Sequence, residues 1–156
     1  MRRSSSGISP VVATVILVAI AIVIAIAVAF WASGLVGIFT RFEKLEITAV
    51  YATPTGGAAN QYDITIRAKN TGSSRATVDE IHLNGVPICG SSGATGNTPP
   101  GITSVDTCPT NLPDTLDPGE IGEYTVTVTA NSPGISVEVA VHTASGKMYP
   151  YSVLLP

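Results

Sequence analysis

Charge is what this chain has least of. Only 12% of its 156 residues are Asp, Glu, Lys or Arg, the net charge is −3, and no charged residue falls between Arg3 and Arg41. No basic patch is available to neutralise phosphates, so nucleic acid is excluded as a partner. Histidine is scarce too. His82 and His142 each stand alone in strand-like runs, whereas metal ligation uses clustered His, Cys or carboxylates, so both read as structural. The acidic residues Asp106, Asp114, Asp117 and Glu120, in and just after the later loop, could hold calcium but lack EF-hand spacing, and solvated loop carboxylates are the usual case. No glycine-rich phosphate loop, nucleophile elbow or recognisable pair of catalytic carboxylates occurs. The expectation is a protein that is not an enzyme and holds no metal or cofactor. Sequons for asparagine-linked glycans are missing as well: Asn97-Thr98-Pro99 and Asn131-Ser132-Pro133 lack a hydroxyl at the third place.

What the chain has in abundance is an unbroken apolar run near its start, ISPVVATVILVAIAIVIAIAVAFW from Ile8 to Trp31. It is apolar on every side, so it has to be buried on every side, in a membrane or somewhere as dry. Val and Ile favour a strand, but a lone strand leaves its backbone unpaired in hydrocarbon and a helix does not. Ser9 suits a helix cap and Pro10 the first helical position. A bilayer core takes about 20 residues. From Ile8 to Phe42 an unbroken helix would reach roughly 50 Å, longer than a bilayer core needs. Gly34 and Gly37 mark either a kink or a close helix contact. Trp31, at the end of the run, fits a membrane-interface anchor. Lysines and arginines on the two flanks nearly tie, and the two cysteines and the later composition favour an N-terminus inside and a C-terminal domain outside. A secretory signal peptide would have a shorter core and a cleavage site at its far end, for which Ala32-Ser33-Gly34 is a weak candidate. Arg2-Arg3 suggests a twin-arginine leader, but the core is too hydrophobic for one.

Beyond residue 45 the pattern changes to short alternating runs divided by Gly, Pro, Asn and Ser, which reads as all-β. The spacing predicts strands at 45–53, 62–69, 77–83, 123–129, 135–143 and 148–154. In Tyr124-Thr125-Val126-Thr127-Val128-Thr129 one face is apolar and the other wet, as in a two-sheet sandwich. Asn70-Thr71-Gly72, Asn84-Gly85, Asp117-Pro118-Gly119 and Ser145-Gly146 supply the turns. Size and strand spacing match an immunoglobulin-like sandwich. The fold class is therefore α+β: a long N-terminal apolar α-helix, then an all-β immunoglobulin-like head. Plentiful Ser and Thr make much of the exposed face hydroxyl, either for O-linked sugars or through the β-propensity of Thr.

The stretch from Cys89 to Pro118 has little strand pattern and reads as a long surface loop. It holds the chain's two cysteines, Cys89 and Cys108. In an exported domain two cysteines read as one disulfide, and the alternative is two separate buried thiols. Closing such a loop stabilises by roughly 3 kcal/mol. Replacing either cysteine is expected to loosen the loop and leave the sandwich intact.

The string Gly7-Ile8-Ser9-Pro10-Val11-Val12-Ala13-Thr14-Val15-Ile16-Leu17 resembles the start of archaeal type IV pilins: a basic residue, Gly or Ala, an apolar residue, Ser-Pro-Val and a long aliphatic helix. The likeness is strong over about residues 7–31 and looser in the head. It implies that a prepilin peptidase cuts between Gly7 and Ile8, with Ser6 standing where the family usually has Lys or Arg. It implies a leader at 1–7, a helix at 8–42 that lies in the membrane before assembly and in a filament core afterwards, and a head at 43–156. The implied function is a structural subunit of an extracellular archaeal adhesion pilus on the cell surface. Its partners are further copies of itself in a helical filament, the peptidase and the pilus assembly machinery. The rival from another class is a single-pass, membrane-anchored immunoglobulin-like binding module that never polymerises. A rotating archaellum filament is a third reading, and Ser9-Pro10-Val11 looks more like pilins.

Overall fold

The computed structural model describes residues 9–39, 41–91 and 93–156. The chain divides into two units, one ending at Arg41 and one running from Phe42 to Pro156. The first consists of helix α1, Pro10–Phe39, which begins at the proline and runs without interruption through Gly34 and Gly37. Ala13 N–H donates to the Ser9 carbonyl, so Ser9 is the residue that opens the helix ladder.

The second unit is an antiparallel sandwich. Its strands are β1 (Leu45–Pro54), β2 (Gln61–Asn70), β3 (Ala76–Leu83), β4 (Val86–Gly90), β5 (Gly93–Ala94), β6 (Ile102–Thr107), β7 (Asp114–Leu116), β8 (Ile121–Ala130), β9 (Ser136–Thr143) and β10 (Met148–Leu154). One sheet has the order β1-β2-β8-β6. The other runs β10-β9-β3-β4-β5, with β7 paired to the first half of β3. We call them the first and second sheet. Alternation places Tyr62, Ile64, Ile66, Tyr124, Val126 and Val128 on the inner face of the first sheet. Val78, Ile81, Leu83, Val137, Val139 and Val141 face them from the second, in one buried cluster. Each such side chain contributes roughly 1.5–3 kcal/mol on leaving water.

Two polar residues organise this core. Asn70, wholly buried at the end of β2, spends both amide hydrogens on the carbonyls of Ser74 and Leu116 and accepts from Gly72 N–H. The sequence offers it only as a turn residue, yet it joins the first sheet to the start of β3 and to β7. Tyr124 donates its phenol to Asp114 at 2.8 Å. Burial, with this carboxylate beside it, pushes the phenol far above its ordinary range.

The 89–118 stretch corrects the surface-loop expectation. It contains the end of β4 and all of β5, β6 and β7, and it buries Ile102, Leu112 and Leu116. Its strands escaped notice because they are short and β6 is broken twice in register, which destroys alternation. Cys89, in β4 of the second sheet, is bonded to Cys108, just past β6 of the first sheet. The bridge therefore ties sheet to sheet, and Cys89 lies wholly inside the core.

Two predictions follow from this packing. Replacing Cys89 and Cys108 by serine should cost about 3 kcal/mol in denaturant unfolding. Amide exchange should then speed up in both β4 and β6, in place of the loop-only loosening expected from sequence. A Cβ on Gly72 would lie 2.5 Å from the Phe42 carbonyl oxygen and 2.7 Å from Lys44 N, both backbone atoms with little room to move. Gly72→Ala should therefore cost about 1–3 kcal/mol, measurable as a lowered thermal midpoint.

Candidate functional site

Helix α1 is the element whose chemistry is least consistent with standing alone in water. The stretch Pro10–Leu35 is long and apolar enough to cross a membrane, and none of it is buried inside the chain. At about 1.5 Å per residue the helix is roughly 45 Å long. Its two hydroxyls make no demand on their surroundings. Thr14 Oγ1 donates to the Val11 carbonyl at 2.9 Å and Ser33 Oγ to the Ala29 carbonyl at 2.8 Å. Such back-bonding lets Thr and Ser enter a dry environment without an unsatisfied donor. Helical spacing puts Ala21, Ala25 and Ala29 on one face, where small side chains admit a close neighbour. Trp31 is exposed near the C-terminal end of the apolar window. Gly7 and Ile8, flanking the expected cleavage point, lie outside the described residues.

On the head, the residues considered for chemistry from sequence all have local structural partners. Asp106 accepts from Gln61 Nε2, Ser104 Oγ and Thr129 Oγ1 at 2.8–2.9 Å. Asp114 holds Tyr124, Asp117 pairs with Arg75 Nε at 2.6 Å, and Glu120 accepts from Asp117 N–H. The four acids are thus committed separately. No group of three or more His, Cys, Asp or Glu able to hold a metal occurs among the described residues.

The histidines do not stand alone, as the sequence suggested. His82 on β3 and His142 on β9 stack with ring centres 5.6 Å apart, because Glu80 pairs with His142 and His82 with Ala140, which makes the two rings diagonal neighbours on one face of the sheet. His142 Nδ1 lies 2.7 Å from Asp79 Oδ1 and His82 Nε2 lies 3.0 Å from Glu80 Oε2. The His142 ring is held through Nδ1 and the His82 ring through Nε2, and the remaining nitrogen of His82 is buried without a partner. Two isolated histidines sixty residues apart give no sequence signal for this pairing. Asp79 is the extra residue of the bulge, so the contact fixes a backbone irregularity.

The wet face of the first sheet is a hydroxyl network. Thr127 donates to Asp63 Oδ1 at 2.7 Å and receives Thr107 Oγ1, and Thr65 meets Thr125 across the strand pair. Its hydroxyls are largely spent on neighbouring side chains.

Three hydrogen bonds onto the Asp106 carboxylate, chiefly that from Gln61, hold its pKa below the ordinary aspartate value. A lowered folded value means that the group's contribution is present above about pH 3.9, the unfolded value, and is lost as pH falls through the folded one. Asp106→Asn should weaken the fold at neutral pH and flatten its loss of stability in that acid window, as read by denaturant titration at several pH values.

No protein-family model matches the chain, and no curated protein matches it. Among solved structures, it is similar to the archaellum periplasmic stator protein FlaG from Sulfolobus acidocaldarius, at 20% identity and a TM-score of 0.37, over 71% of this chain and 99% of that one. It is also similar to a chain in the FlaF–FlaG stator complex of the same organism, at 18% identity and a TM-score of 0.35, over 71% of this chain and 89% of the other.

Proposed function

We propose that this chain is a pilin: a subunit that polymerises through α1 into an extracellular archaeal type IV pilus serving adhesion. The observation that carries this reading is α1 itself, thirty residues without a charge, whose apolar window Pro10–Leu35 has no outward hydrogen-bonding demand and is not buried within its own chain. Such a helix is held in lipid until assembly and then exchanges lipid for copies of itself, since hydrocarbon and a bundle of aliphatic helices are equally dry. Cleavage between Gly7 and Ile8 by a prepilin peptidase frees it for that exchange. The head coats the outside, and its core and disulfide suit it to the cell exterior. The work is mechanical and adhesive, with no catalysis.

The same apolar window also supports a second reading, because Pro10–Leu35 is long and apolar enough to span a bilayer by itself. In that case the head is an anchored binding module.

Shearing of the cell surface separates the two. Filaments containing this chain, with a subunit that begins Ile8-Ser9-Pro10 by mass spectrometry, are expected. Retention in membranes with no such filaments would leave the anchored module. Ile24→Lys places a charge in the middle of α1 at a cost of about 3 kcal/mol or more per subunit, and should abolish filaments while the head remains folded.

A further inference from the structure

A sandwich has free edges, and each is a template on which another chain can add a strand. Four edges bound this head, and each is interrupted. On β1, Thr48 is an extra residue between the paired positions Ile47 and Ala49, and its hydroxyl donates to the Arg67 carbonyl. On β6, Thr103 and Asp106 are both extra residues. Thr103 donates to Asn131 Oδ1 at 2.7 Å, and Asp106 collects the three hydrogen bonds described above. On β10, Pro150 sits opposite Ala140 within the ladder. A proline keeps its place there only with its nitrogen turned away from β9, so the outward row of donors is broken at its middle. The fourth edge is made of β5, two residues long, and β7, three residues long. Every bulge on the long edges is pinned by a side chain, so these breaks are built features of the fold.

We propose that the head is constructed to refuse strand addition by a second copy of the chain, so that copies meet through α1 and never through their sheets. This rests on the self-assembly proposed above for its partner, and on the edges alone for its mechanism.

The test uses the full chain in detergent. Pro150→Val restores an outward donor on an exposed strand with a residue that favours β structure, so folding is preserved. A second variant adds deletion of Thr48 and straightens β1. Light scattering should show the parent's number of copies per micelle rising to twice that or more in the variants. Amide exchange at Met148 and Ser152, whose N–H groups share the outward side of β10, should slow in the variants and stay fast in the parent, free or assembled. Variants that keep the parent's mass and fast exchange would overturn the proposal. Protection of Met148 and Ser152 in assembled parent would overturn it too. Should the parent form no filaments, the self-assembly reading falls, and the detergent comparison still decides what the edges do.

Discussion

The dryness of α1 constrains everything else. An amphipathic helix can settle on its own domain with one face inward. A helix without a polar face has no such resting place in water, and the head has to fold without it. The head meets that condition with a complete core of its own, drawn from both sheets and closed by Asn70, Tyr124 and the Cys89–Cys108 bridge. Autonomy of the head and exposure of the helix are two sides of one requirement.

Side chains in this head often act on backbone irregularities. Thr48, Asp79, Thr103 and Asp106 are each the extra residue of a register break, and each is fixed by a hydrogen bond to a neighbour. This gives the histidine pair a physical account: His142 secures Asp79, and His82 stacks on His142.

The helix was legible because its run is apolar on every side and long enough for a bilayer, where a lone strand would leave its backbone unpaired, and the six longer strands because they alternate with a period of two. Ile64 and Val126 announce their face by their neighbours. The shorter strands were hidden for the reason that makes them useful. In Ile102-Thr103-Ser104-Val105-Asp106-Thr107 two unpaired residues shift the phase twice, so a paired edge strand reads as polar loop. The His82–His142 contact and the inward amide of Asn70 were hidden because they depend on which strands become neighbours, and no local pattern encodes that. The cysteines could be matched by number, but that their bridge crosses between sheets required knowing that β6 exists.

Residues 42 to 44 carry the chain into the sandwich before β1 begins. The carbonyls of Phe42 and Lys44 receive four backbone hydrogen bonds, from Thr71, Gly72, Ser73 and Ser74, and Lys147 Nζ reaches the carbonyl of Glu43 from the opposite sheet's connection. A pull transmitted along the chain from the helix is therefore resisted at this clasp before it can peel β1 from β2. Load is shared at once between a turn of one sheet and a lysine beside the other, and the bare Cα of Gly72 is what lets the clasp close so tightly. Under tension, yielding would begin at a hydrogen-bonded seam that can reform, while the buried interior stays packed.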